Sequence, residues 1–267
     1  MNETSESSLR FTAARNKVIT LDERERVGIG MQKEKTLHAI LKNYMDPDPS
    51  HHEIPASFIL PGQGVKFIAD IFDGEQVTEI QTSGFSKLND RLRFYLPQVP
   101  VTVVFPIPYC KWVIWIDPET GELLKKNKSP VRGTAYQAFR EFYQIRNVLQ
   151  DEALRQSLSF RLILLDIEEY RLKDGWSRDG KRGSHRFDYV PLAIHEEIIL
   201  NEPADFGIFL PEGLPETFTA KDLQAATGVR RRSVSFSQVL SVLTMLGLTE
   251  RTGVGKNRAY LYKKANT

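Results

Sequence analysis

The sequence predicts an α/β (α+β) chain, with a mixed central sheet flanked by helices and a small helical module near the C-terminal end. Three observations carry this prediction. Apolar residues recur at helical spacing over residues 37–44 and again over 88–95. Short runs rich in Ile, Val and Phe alternate with these helices, bounded by Gly, Pro or Asp. Beyond Phe218 the pattern changes to a short helix, a longer helix and two strands around a glycine-containing turn.

The bulk properties set limits. With 267 residues, 41% of them hydrophobic, the chain can bury the core of one large domain or two modest ones. The formal net charge is +2, so nucleic-acid binding has to be argued from local clusters rather than from overall balance. Cys110 is the only cysteine, which excludes an intrachain disulfide and a cysteine-rich zinc site and suits a cytoplasmic setting. The leading residues hold no apolar signal segment, and no apolar run reaches the roughly 20 residues a bilayer span needs. No membrane partner is expected.

Residues 1–26, rich in Ser, Glu, Arg and Thr, read as a flexible leading segment. A helix is expected over 31–45, with Leu37, Ile40, Leu41 and Tyr44 on one face and Asp46-Pro47-Asp48-Pro49 as its stop. Glu34 lies three residues before Leu37 and seven before Leu41, so it projects from the same side near the helix start. Strands are expected over 54–60, 66–72 and 76–82, separated by Pro61-Gly62-Gln63-Gly64 and by Asp73-Gly74. Residues 86–96 form the next helix, closed by Pro97. The apolar run 101–105 is then a buried strand, and strand, helix and apolar strand in close order suggest a βαβ crossover.

Further strands are expected over 112–116 and 160–165, with a helix over 136–149 between them. Residues 171–186, dense in Lys and Arg and holding three glycines, read as a flexible basic loop. Pro191, Pro203, Pro211 and Pro215 mark a looser connector. Thr219 caps a short helix that Gly228 ends. A longer helix spans 233–246, and strands lie at 248–251 and 259–262. The resulting division is a leading segment over 1–26, a core domain over 27–175, a basic loop and connector over 176–205, and a C-terminal domain over 206–267.

Within this frame Asp70 and Glu79 stand on adjacent strands across a hairpin turn. Side chains alternate along a strand, so Glu79 and Gln81 share a face and the two carboxylates can converge. Hard oxygen ligands of this kind favour Mg²⁺ or Mn²⁺. A bound divalent ion neutralises a phosphoryl oxygen and lowers the pKa of a coordinated water.

A helix with Glu34, a strand, a strand with Asp70, a strand with Glu79-Ile80-Gln81, then a helix and a strand resembles the core of the PD-(D/E)XK nuclease superfamily, with its restriction-endonuclease-like sheet. The resemblance covers residues 31–116. It implies metal ligation by Asp70, Glu79 and the carbonyl of Ile80, with Glu34 supporting the site and Glu53 as a further acid. Gln81 stands where the superfamily usually has lysine; it can orient a water but supplies no charge. Lys87, opening the next helix, is the candidate to replace that charge.

Two basic segments suit a phosphodiester substrate, since phosphate neutralisation supplies most non-specific affinity. One is Lys173, Arg178, Lys181, Arg182 and Arg186. The other is Arg230, Arg231 and Arg232 at the expected start of the longer C-terminal helix, joined by Lys256 and Arg258 on the hairpin. The pattern of residues 218–264 resembles a winged helix-turn-helix, which implies that this helix start meets the major groove. Residues 193–200 would supply the remaining helix of the motif.

Other constellations fail. Gly28-Ile29-Gly30 lacks the third glycine of a dinucleotide fingerprint, and Glu250 stands where the first P-loop glycine should be relative to Gly255-Lys256. His51 and His52 are adjacent and cannot share one strand face. The sequence thus points to a Mg²⁺-dependent nuclease acting on nucleic acid, double-stranded DNA first, with a homodimer as a further partner state. The alternative is a catalytically inactive nuclease-like protein that binds or regulates DNA.

Overall fold

The structure is a computed structural model that describes residues 3–25, 36–62, 67–117, 119–175, 183–230 and 234–265. In chain order its elements are α1 (Glu3–Glu25), α2 (Thr36–Met45), β1 (His52–Pro55), α3 (Ala56–Ile59), β2 (Ile68–Phe72), β3 (Val77–Ile80), α4 (Leu88–Tyr95), β4 (Val101–Ile116) and β5 (Leu123–Lys128). There follow α5 (Phe139–Gln144), α6 (Arg146–Leu149), α7 (Glu152–Arg155), β6 (Leu158–Gly175), β7 (Gly183–Leu200), α8 (Ala220–Thr227), α9 (Phe236–Met245), β8 (Thr249–Val254) and β9 (Tyr260–Lys264). The chain forms two units. The first comprises Met1–Ile54, Pro106–Gly133 and Ile163–Glu197, and the second Pro55–Phe105, Thr134–Leu162 and Ile198–Thr267. Among the described residues no helix is long and apolar enough to cross a membrane.

The second unit carries the mixed part of the sheet, in the order β2-β3-β4-β6. Asp73-Gly74 makes the β2–β3 turn. Gly74 has φ 100°, which an L side chain rarely tolerates, and Asp73 Oδ1 accepts the backbone N–H groups of Glu75 and Gln76, each at 2.9 Å. β2 and β3 run antiparallel, with Ile71 opposite Thr78 and Phe72 opposite Val77. β3 then pairs with β4 in parallel, Val77–Ile80 against Val101–Val104. A parallel neighbour needs a crossover, and α4 supplies it, burying Leu88, Leu92 and Tyr95 on one face. The mixed sheet flanked by helices is therefore as expected.

Several elements of this unit differ from the sequence expectation. The strand expected over 54–60 is β1 followed by the short helix α3, because Pro55 opens a helical turn whose Leu60 N–H bonds the Ala56 carbonyl. The helix expected over 136–149 is a 3-10 turn at Ala135–Ala138 followed by α5 and α6, broken at Ile145. Its aromatic face still packs: Phe142 lies 4.7 Å from Phe160 and Phe139 lies 4.8 Å from Phe209 between ring centroids. Such pairs add about 0.5–1.5 kcal/mol each beyond area burial.

The C-terminal stretch belongs to this unit. Thr219 caps α8 as expected, in a box with Asp222, and Gly228 ends it at φ 65°. The Asp222 carboxyl is held below its ordinary range by the backbone and side-chain hydrogen bonds of Thr219. β8 and β9 form an antiparallel hairpin, and Phe218 bridges to Tyr262. α9 starts at Phe236, later than expected, and Phe236 sits 5.6 Å from the Tyr136 ring. Residues 193–200 lie in β7, so they supply no helix; Ile194, Ile198 and Ile199 favour a strand.

In the first unit the leading segment is not loose. α1 runs from Glu3 to Glu25 and buries Phe11, Ala14 and Val18, an i, i+3, i+7 stripe. Phe11 meets Tyr44 of α2 edge-on at 5.6 Å, and the Tyr44 hydroxyl lies 2.7 Å from Ser7 Oγ and donates to Glu197 at 2.8 Å. The strand order here is β4-β6-β7 with β5 on β4. The separate strand expected over 112–116 is the far half of the continuous strand β4, which runs on through Pro106 and Pro108. Both prolines lie beyond the stretch where β4 pairs with β3, so that ladder loses no donor. Cys110, on this strand, is buried.

The basic stretch 171–186 is likewise not a loop throughout. β6 extends to Gly175 and β7 begins at Gly183. Arg171 is buried and paired to the fully enclosed Glu169, which also meets Lys111 at 2.5 Å. Burial opposes ionisation of Glu169, but the hydrogen bond and charge of Lys111, with those of Arg171, outweigh it and hold this carboxyl below its ordinary range. Pro191, expected in a loose connector, lies within β7 and accepts from Arg15 Nε at 3.1 Å.

Candidate functional site

The β2–β3 register, continued by one pair, sets Asp70 opposite Glu79. Residues directly opposite share a face, and like charges there repel. Two local features offset the repulsion. Asp70 Oδ2 accepts the backbone N–H of Ile80 at 2.7 Å. The guanidinium of Arg91, on α4, lies with Nη1 2.8 Å from Glu79 Oε2. Glu79 is fully enclosed, whereas the Arg91 side chain retains 22% of its exposure. Arg91 is anchored further by donating Nη2 to the Ile68 carbonyl and by lying over the Phe67 ring at 5.9 Å.

Tyr95 completes the group. It follows Arg91 by one helical turn and so shares its face of α4. Burial first, then the charges of Glu79 and Asp70, push its phenol up to about 12, against the opposing charge of Arg91. Its hydroxyl and the Nε–H of Arg91 are both buried and make no hydrogen bond among the described residues. A buried unpaired donor costs about 1–3 kcal/mol, and such groups are rare in folded proteins. The site therefore presents two carboxylates, one guanidinium and two unused donors.

This set fits a hard divalent ion in chemistry. Magnesium is commonly held by one or two carboxylates, its remaining positions going to water or substrate phosphate. Asp70, Glu79 and the carbonyl of Ile80 would be the holders. Among the described residues no group of three or more His, Cys, Asp and Glu is arranged to enclose a metal. An ion here would share Glu79 with Arg91.

The remaining expected residues scatter. Gln81 follows the last residue of β3, half-buried, and its backbone N–H bonds the Val104 carbonyl at 2.9 Å. Lys87 is exposed in the 3-10 turn Phe85–Lys87 and makes no ion pair among the described residues. The cation that reaches the acids is Arg91, four residues later. That i, i+4 spacing from Lys87 is the signal by which the sequence could have pointed to it. Glu34 lies outside the described residues. Glu53 belongs to the first unit, at φ 56°, with its carboxylate 2.9 Å from Lys42.

Of the basic residues, Lys173 is exposed on β6. Arg178, Lys181, Arg182, Arg231 and Arg232 lie outside the described residues, and the side chains of Arg186 and Lys256 do as well. Arg230 is exposed in the connector between α8 and α9 rather than at a helix start. Arg258 is exposed between β8 and β9 at φ 59°. Beside it Arg251, unremarked in the sequence, stacks on Tyr260 at 3.4 Å.

Fold and site together define a mixed α/β protein with an acid pair facing across two antiparallel strands and a crossover helix that carries a guanidinium to it. The chain belongs to a family described as a domain of unknown function (DUF8091), whose model matches residues 35–201 and so spans all four site residues. It is 29% identical over 203 residues to an uncharacterized protein of Treponema pallidum (strain Nichols), covering 75% of this chain and 75% of that one. No solved structure matches.

Proposed function

We propose that this protein is a Mg²⁺-dependent nuclease that hydrolyses phosphodiester bonds, with DNA as its substrate. The carrying observation is the Asp70–Glu79 pair on one sheet face with Arg91 and the unused Tyr95 hydroxyl beside it. When bound, the metal supplies charge neutralisation and an acidified water. Asp70 and Glu79 would hold it with the Ile80 carbonyl. Arg91 supplies the positive charge that Gln81 lacks, in place of Lys87. The Tyr95 phenol, pushed up to about 12, stays neutral beside the acid pair. The order β2–β3–α4–β4, with antiparallel then parallel pairing, supports a PD-(D/E)XK-like core. The succession α8, α9, β8–β9 supports a winged-helix contact to duplex, using Arg230, Arg251 and Arg258.

The test is cleavage of plasmid and single-stranded DNA with and without Mg²⁺ or Mn²⁺. The wild-type chain yields product only with metal, and Asp70→Asn lowers the rate at least a hundredfold. Absence of any metal-dependent product from wild type overturns the proposal. One observation favours a second reading, an inactive nuclease-like binder: Glu79 is fully enclosed and already neutralised by Arg91. In that case wild type binds DNA, and neither metal nor Asp70→Asn alters the result.

A further inference from the structure

The hairpin of β4 and β5 in the first unit has a composition its structural role does not require. All six residues of β5 are exposed, three of them are lysine and none is acidic. The register sets Lys128 opposite Trp112, Lys126 opposite Ile114 and Lys125 opposite Trp115. Lysines on an edge strand discourage pairing with other chains, yet that purpose needs no aromatic partner. Here the ammonium groups of Lys128 and Lys126 lie 5.1 and 5.9 Å from the centre of the Trp112 ring. Lys126 is further fixed on Glu168 at 2.5 Å. Lys125 and Lys128 have no carboxylate partner among the described residues. A groove of about 310 Å³ is lined by Lys126 and Glu168 together with Ile114, Leu124 and Tyr170.

We propose that the β4–β5 hairpin is a second nucleic-acid contact, which grips the sugar-phosphate backbone through Lys126 and Lys128 around Trp112. The inference rests on the nuclease reading for the identity of the ligand. Its geometry is independent of the acid pair. The lysines lie over the Trp112 ring, so the contact is to phosphate rather than to a stacked base, and it reads no sequence. The Asp117 carboxyl, at the hairpin turn, is held below its ordinary range by the backbone N–H bonds of Thr120 and Glu119, with the charge of Lys173 adding to them. Glu119 and Glu122, exposed at the same turn, confine the cationic run to the strand.

The experiment measures binding of the full chain to a labelled 20-nucleotide DNA, single- and double-stranded, from 50 to 200 mM salt without divalent metal. Lys128→Gln leaves the Lys126–Glu168 pair intact. It is expected to reduce the slope of log K against log[salt] by about 1. Lys128→Arg keeps the wild-type slope, and the thermal midpoints of both variants confirm folding. A wild-type slope in the glutamine variant overturns the inference while leaving the nuclease reading to its own cleavage assay. Wild-type binding that is absent, or matched in affinity and slope by polyglutamate, also overturns it. A reduced slope together with no cleavage by wild type sustains the contact and removes the nuclease.

Discussion

Arg91 settles the charge of the candidate site in the metal-free chain. Glu79 is fully enclosed, and the Arg91 guanidinium 2.8 Å away sets an opposite charge against it. Breaking such a pair from one side leaves an uncompensated buried charge, at about 3–5 kcal/mol. Arg91→Met is therefore expected to lose stability in that range by urea unfolding. Adding Glu79→Gln to Arg91→Met should recover most of it, because the stranded charge is gone. Equal and additive losses from the two changes would show that the residues do not act as a pair. Arg91→Lys tests the fork separately: one ammonium cannot serve both Glu79 and the Ile68 carbonyl in the planar geometry a guanidinium offers.

At the level of elements, legibility followed the strength of local signals. α4 was readable because Leu88, Leu92 and Tyr95 repeat at helical spacing and Pro97 closes the run. The β2–β3 turn was readable in Asp73-Gly74, and the start of α8 in Thr219. β5 was invisible, because Leu123–Lys128 is exposed at every position and shows no alternation. α1 was missed because its buried stripe is thin, with Ala14 and Val18 lost among charged neighbours. The arms of β6 and β7 read as loop in the sequence because basic residues dominate them, and only tertiary pairing reveals Arg171 as buried. Of the site, Asp70 and Glu79 were legible from spacing. Arg91 and Tyr95 were not assigned, since helical register fixes a face but not which side chain reaches across it. The capping box at α8 gives a direct check: Thr219→Ala is expected to cost about 1 kcal/mol, read as a lowered urea midpoint at unchanged slope. An unchanged midpoint would mean α8 is held by Leu223 alone.

For the molecule as a whole, the C-terminal stretch shares a unit with the candidate site. Phe206 and Phe209 pack with Phe139, Phe142 and Phe160, and Phe236 of α9 packs on Tyr136. A chain cut after residue 205 is therefore expected to lose fixed tertiary packing in the second unit, seen as collapse of its near-ultraviolet circular dichroism. A native-like spectrum from that fragment would establish that residues 206–267 fold apart. The solitary thiol of Cys110 has a consequence of another kind. It is enclosed on β4 within the first unit, and the chain holds no other thiol. A thiol reagent added to the native protein can modify it only during those openings that bare the strand. The unmutated chain thus carries its own stopwatch: the labelling rate, set against that of a free thiol, reads the free energy of the opening that bares Cys110.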